Sequence, residues 1–226
     1  CWTQRLAHSP PASDCAADAL EPGGKWNSHI RAIVSFISGA RLEDLSATDY
    51  AAYDESSSEN NWRLRSGFGA LIARSFPRKV SLSLAAPVES IALAEGGVKL
   101  TTPTGTIRAR AVLPTVSTAV LAGDSIKLPC GLDAWRDAAR RLPLGLNEKL
   151  FVEIMGDAPF EAETHVTGNP EDERTASYYI RPFDWPVIEC FFGGEGAQLL
   201  GEEGLAAGFA FAIDQLTHLF GSDIRT

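Results

Sequence analysis

Between residues 79 and 112 the chain offers four short runs rich in β-branched residues, at 79–84, 88–94, 98–102 and 106–112. They are parted by Ala85-Ala86-Pro87, Glu95-Gly96-Gly97 and Pro103-Thr104-Gly105. Strand-forming residues held between Gly and Pro turns predict a meander whose neighbouring strands are antiparallel. Everything else must be arranged around such a sheet. Before it, Ile30, Ile33, Val34 and Ile37 recur at helical spacing, with Asn27 or Ser28 in place to cap the helix and Gly39 to stop it. Residues 50–61 are polar and acidic and read as a loop or a short exposed helix, and Gly67-Phe68-Gly69 leads into a helix over 70–75.

After the meander, Leu132, Trp135, Ala139 and Leu142 form one helical face over 132–142, ended by Pro143 and Gly145. Strands follow at 149–155, 176–181 and 187–192, with a polar excursion over 156–174. The last strand runs through Gly193-Gly194-Glu195-Gly196 into a helix, and Leu205, Phe209, Ile213, Leu216 and Phe220 mark the closing helix. Strands and helices come in runs, not in βαβ alternation. The expected class is α+β, a mixed and largely antiparallel sheet with helices packed on it.

The 29 acidic and 20 basic side chains give a formal charge of −9 over 226 residues. That balance opposes attraction to nucleic acid or anionic membrane and favours cationic substrates. No apolar run approaches the roughly 20 residues needed to span a bilayer. Cys1, Cys15, Cys130 and Cys190 form no CxxC pair, and His8, His29, His165 and His218 lie far apart, so reduced thiols in a cytoplasm and no metal centre are expected. The sole methionine is Met155, and the chain opens on Cys1 and stops behind an amphipathic helix, so both ends read as cuts in a longer sequence.

Few residues stand out as chemical. The Gly193-Gly194-Glu195-Gly196 turn is no phosphate cradle by pattern: it lacks GxGxxG spacing, and Glu195 would repel an anion. No GxSxG elbow occurs, and His218, beside Leu219 and Phe220, reads as a flanking or satisfied core residue. Lys149 is the exception. Period-2 alternation puts Leu150, Val152 and Ile154 on one face and Lys149, Phe151 and Glu153 on the other. That second face is either solvent or the wall of a cavity in which a lysine charge acts on a reacting group, and the pattern leaves both readings open.

Several segments together resemble the flavin-containing amine oxidase family, which includes polyamine and monoamine oxidases. They are Asn61-Trp62-Arg63-Leu64-Arg65-Ser66-Gly67-Phe68-Gly69-Ala70-Leu71, then Pro87-Val88-Glu89-Ser90-Ile91, then Ala109-Arg110-Ala111-Val112-Leu113-Pro114-Thr115-Val116. Leu142-Pro143-Leu144-Gly145-Leu146-Asn147-Glu148-Lys149-Leu150-Phe151, Arg181-Pro182 with Phe192-Gly193-Gly194, and Leu219-Phe220-Gly221-Ser222-Asp223 complete the set, in order along nearly the whole chain.

The resemblance implies the substrate domain of an enzyme that oxidises a C–N bond by hydride transfer to FAD. Residues about 79–116 would be the meander that contacts the cofactor. It further implies that Lys149 faces the flavin and holds a water at N5, that the backbone of Val88 meets the adenine end, that Thr115 lies near FAD, and that Tyr178 and Phe68 line the amine cavity. The family's N-terminal GxGxxG unit and its C-terminal flavin-covering segment are absent from this sequence, and Ser117 stands where the family has proline after Thr-Val. The expected partners are therefore a small amine and the missing segments of the protein's own chain, and the isolated chain is expected to hold FAD poorly. A related flavoprotein oxidase or desaturase, and a non-catalytic binding domain, are the competing readings.

Overall fold

The computed structural model describes residues 2–58, 60–156 and 160–225. The chain divides into two compact units, Ser66–Leu144 and the combination of Cys1–Arg65 with Gly145–Thr226.

The N-terminal part of the larger unit is helical, with α1 (Trp2–His8), α2 (Asn27–Ser38) and α3 (Ala47–Ser56). Trp2, Leu6, Val34, Leu42 and Tyr50 form a buried cluster in which the Trp2 and Tyr50 rings lie 5.2 Å apart. Burial of the Tyr50 hydroxyl pushes its pKa up to about 12. The expected helix over the isoleucine stripe is α2, and Gly39 ends it as expected, with φ of 66° and its N–H donating to the Ser35 carbonyl at 2.8 Å. Its start differs from expectation. Trp26 holds the cap position without a side-chain bond, while the Asn27 amide donates to the Glu21 carbonyl at 2.8 Å. The acidic stretch after it begins as the well-capped α3, where Ser46 Oγ accepts from the Asp49 N–H at 3.0 Å.

The smaller unit holds α4 (Phe68–Ser75), the strands β1 (Ser90–Ala94), β2 (Gly97–Thr102) and β3 (Gly105–Ala109), and then α5 (Thr118–Ala122) and α6 (Asp133–Arg140). The three strands form the expected antiparallel meander in the order β1-β2-β3, with Ile91 directly opposite Leu100 and both buried. Residues 79–84, expected to be a fourth strand, are not one. A strand is stable only against a neighbour that takes its N–H and C=O groups. Leu82 and Leu84 are exposed here, and among the described residues the backbone of the run closes only the turn from Val80 N–H to Pro77 O.

The rest of the larger unit is β4 (Asn147–Glu153), β5 (Thr164–Thr167), β6 (Ser177–Ile180), β7 (Val187–Gly193), α7 (Glu195–Glu203) and α8 (Leu205–Phe220). The strands form an antiparallel sheet in the order β4-β7-β6-β5. Its strand β5 lies in the stretch read from sequence as a polar excursion, of which residues 157–159 fall outside the described ones. Leu150, Tyr178, Ile180, Ile188, Cys190 and Phe192 alternate onto one face and bury against Ala197, Leu200, Ala212 and Leu216 of α7 and α8. Burial pushes the Cys190 thiol up to about 12. Cys15, Cys130 and Cys190 are free thiols, and Cys1 falls outside the described residues.

The C-terminal end of α2 meets this sheet at glycines. A Cβ on Gly145 would stand 1.9 Å from the Ser38 carbonyl oxygen, and one on Gly193 would stand 2.0 Å from that of Ser35. Leu146 N–H donates to Gly39 O at 2.7 Å, and Gly194 N–H donates to Leu146 O at 3.0 Å. The glycine turn before α7 is thus a packing joint, in keeping with the plain-turn reading, and a Cβ on Gly196 would stand 2.6 Å from the Arg174 carbonyl oxygen.

Opposite signs are expected for two glycine substitutions. Gly193→Ala forces the joint apart and should cost about 1–3 kcal/mol. Gly201→Ala, inside α7 with open space around it, should add about 0.5–1 kcal/mol. Urea unfolding of the two variants checks both; equal effects would contradict the joint.

Candidate functional site

The second face of the four-stranded sheet carries no helix from α7 or α8 and gathers polar and aromatic side chains. Antiparallel register sets Lys149 opposite Phe191, Phe151 opposite Glu189, Glu189 opposite Tyr179, and Tyr179 opposite His165. Residues directly opposed across such a sheet share a face. All six therefore stand together, on the side away from Leu150, Cys190 and Tyr178.

At one edge the Lys149 ammonium donates to Glu189 Oε1 at 2.5 Å and lies 5.1 Å over the Phe191 ring. The lysine side chain keeps 48% of its surface in solvent, whereas that of Glu189 keeps only 16%. A carboxylate that far out of water needs cationic partners, and Glu189 has two. Arg63 reaches its other oxygen at 3.5 Å. The Arg63 guanidinium also stacks 3.9 Å from the Tyr179 ring centre and stands 3.8 Å from Glu163. Tyr179 in turn donates its hydroxyl to Glu163, and the Phe183 N–H donates to the same carboxylate at 2.5 Å. The Tyr179 bond, then the Phe183 N–H, hold the Glu163 pKa below its ordinary 4.5.

The corner between β6 and β7 is conformationally costly. Among the described residues six non-glycines have left-handed φ, and four of them, Glu163, Arg181, Phe183 and Asp184, belong to this network. Such angles persist where surrounding contacts over-determine them. Here Glu163 holds the Phe183 N–H while Arg65 donates to the Phe183 carbonyl at 2.7 Å, so both peptide groups of that residue are pinned.

The residues singled out from sequence are dispersed. Lys149 stands on the open face, half in solvent and paired, which combines features of both readings. Tyr178 does not join it. It is fully buried on the core face, with its hydroxyl donating to Gln215 Oε1 at 2.7 Å, and burial raises its pKa. The one-residue alternation of a strand is the reason: the tyrosine that shares the face of Lys149 is Tyr179. Gln215 Oε1 also accepts from Ala176 N and Thr175 Oγ1, both at 3.2 Å, so Tyr178 belongs to a structural hub.

Phe68, Val88 and Thr115 lie in the other unit. Phe68 is exposed at the first turn of α4, and Thr115 is exposed in the irregular run after β3. Val88 is half-buried just before β1, and its backbone groups make no hydrogen bond to another described residue. His218, read as a flanking or core residue, is exposed on the last turn of α8. Glu189, Arg63 and Tyr179 carried no weight in the sequence reading. Alternation over 187–193 would have placed Glu189 and Phe191 together, but their pairing with β4 depends on the joint at Gly145 and Gly193. Among the described residues no group of His, Cys, Asp and Glu could hold a metal ion, and no helix is long and apolar enough to cross a membrane.

Residues 2–223 match the model of the flavin containing amine oxidoreductase family. The chain belongs to that family. No curated protein matches it significantly.

Two of these contacts can be measured. Tyr178→Phe leaves Gln215 short of one donor and should cost about 1–2 kcal/mol in chemical denaturation. The Glu163 bonds should show in the pH dependence of stability. A carboxylate with depressed folded pKa stabilises above its ordinary value and ceases to do so as pH falls through the folded value. Tyr179→Phe should therefore flatten the loss of stability below about pH 4.5; an unchanged acid limb would contradict the contact.

Proposed function

We propose that this chain is the substrate-facing part of an FAD-dependent amine oxidase, and that the open face of the four-stranded sheet is turned toward the reacting groups. The observation that carries the reading is Lys149, paired with Glu189 on the sheet face opposite α7 and α8, in a chain matched by the family over residues 2–223.

The residues present fit a flavin in part. Lys149 offers a half-solvated ammonium above the Phe191 ring, and Phe151 beside it is 57% exposed, so an extended ring system has apolar surface to lie on. Val88 has backbone groups free to meet an adenine edge, and Thr115 is free to approach the cofactor. The sequence has no GxGxxG passage to take a pyrophosphate. The chain by itself is accordingly expected to retain FAD poorly and to lack oxidase activity, with the full protein supplying the rest.

FAD, when bound, would supply the hydride acceptor for oxidation of the amine C–N bond to an imine, which water would hydrolyse. In this reading Lys149 is the residue that would hold a water toward the flavin. Its fixed positive charge also favours the build-up of negative charge on dioxygen, an electrostatic contribution that needs no reorganisation at the moment of reaction. On the open face of the larger unit Tyr179 is assigned to the lining of the amine cavity in place of the buried Tyr178, while the assignment of Phe68 rests on the family resemblance alone. The acidic balance of the chain favours a cationic amine as substrate. Free thiols at Cys15, Cys130 and Cys190 fit a reducing compartment, and we assign the protein to the cytoplasm.

In the full-length protein, Lys149→Met should slow reoxidation of reduced flavin by oxygen at least about tenfold, a barrier change of roughly 1.4 kcal/mol, in stopped-flow measurements. Unchanged oxygen kinetics would sink the role given to Lys149. A purified 226-residue chain showing a flavin absorption band, and releasing peroxide with amines, would overturn the expected dependence on further segments.

A further inference from the structure

The role proposed for Lys149 requires its ammonium to stand in one place, yet a lysine on an edge strand has four rotatable bonds and half its surface in water. One side chain removes that freedom. Glu189, on the neighbouring strand β7, is itself mostly buried and takes the ammonium on Oε1 at 2.5 Å, while the Phe191 ring lies 5.1 Å beneath the nitrogen. An ammonium has three N–H donors. With one committed to Glu189, two remain for other partners.

Glu189 cannot turn to follow the lysine, because Arg63 holds its second oxygen at 3.5 Å. Arg63 is fixed independently, by its stack on Tyr179 at 3.9 Å and by Glu163 at 3.8 Å. The constraint therefore runs from Tyr179 and Glu163 through Arg63 and Glu189 to Lys149. No part of it lies in the sheet core, and the core residues next to it in sequence, Leu150, Ile188 and Cys190, face the other way.

We propose that Glu189 is the positioning residue of this site: it sets where the Lys149 ammonium stands, and Arg63 holds Glu189 in the rotamer that does so. The inference rests on the role given to Lys149, but its first test does not. Lys149 is one of five lysines, with Lys25, Lys79, Lys99 and Lys127 as internal references. Acetylation of the folded chain by an N-hydroxysuccinimide ester, followed residue by residue in a mass spectrometer, reads how firmly each amine is held.

Glu189→Gln keeps the shape of the buried side chain and removes its charge. It should raise the acetylation rate of Lys149 at least threefold relative to the four references, with circular dichroism unchanged, and Glu189→Asp should recover part of the protection. Arg63→Ala, which frees Glu189 to move, should raise the rate by a smaller factor. An unchanged Lys149 rate in Glu189→Gln, or a rise shared by all five lysines, would overturn the proposal. Should Glu189→Gln fail to fold, the Arg63→Ala and Glu189→Asp rates decide it alone.

In the full-length flavoprotein the two ideas separate. If Lys149→Met slows flavin reoxidation and Glu189→Gln does not, the positioning inference fails while the role of Lys149 stands. If Glu189→Gln frees Lys149 to acetylation and neither substitution alters reoxidation, positioning stands and the oxygen role of Lys149 fails.

Discussion

The close approach of helix α2 to the four-stranded sheet governs the arrangement of the larger unit. The Ser35 and Ser38 carbonyls come so near Gly193 and Gly145 that no side chain fits between them. The bonds from Leu146 to Gly39 and from Gly194 to Leu146 lock the two strand ends in place. This joint sets Asn147 opposite Gly193, and every later pair in the β4–β7 ladder is fixed by that one. A slip of one residue would turn Lys149 into the core and bring Leu150 out, because strand side chains alternate with a period of two. The chemistry of the open face thus depends on a backbone contact several residues from it.

What the sequence revealed, and what it hid, divides along the same line. The meander was legible because its Gly and Pro turns are local signals, and α2 because its isoleucine stripe and Gly39 are. Lys149 could be placed on a face by alternation within its own strand. Its partner could not, since Glu189 is forty positions away and the ladder joining the strands is a tertiary fact. The same limit applies to Tyr178 and Tyr179. Both lie in one short strand, and only the packing of α8, through Gln215, reveals which of them faces inward. The fourth strand expected at 79–84 failed for a related reason: strand propensity describes a segment ready to pair, and the pairing partner is a property of the surroundings.

The open face is built from charges that each answer another. Glu189 lies between two cations, Arg63 between two anions, and the rings of Tyr179 and Phe191 lie against a guanidinium and an ammonium. Exposed ion pairs singly contribute little, but a connected set with a largely buried carboxylate at its centre loses several contacts when one member goes. Such a network specifies geometry more than it adds stability. The core on the other side, with Phe192, Ile188 and Leu216, supplies the latter.

The corner at Arg181–Asp184 carries a further consequence. Its left-handed angles are unfavourable for residues with side chains, and they are held by contacts from Glu163 and Arg65, both far away in sequence. A segment held this way stores the means of its own release: when either contact lets go, the backbone gains by relaxing. In the hierarchy of local openings this corner should therefore be the first part of the sheet to exchange its amide hydrogens, well before β7 beside it. Glu163, which holds this corner, is also the partner of Tyr179 at one end of the chain of contacts that reaches Lys149. A rigid sheet and a releasable corner on one face give the protein both a fixed surface and a natural place to yield when another molecule settles on it.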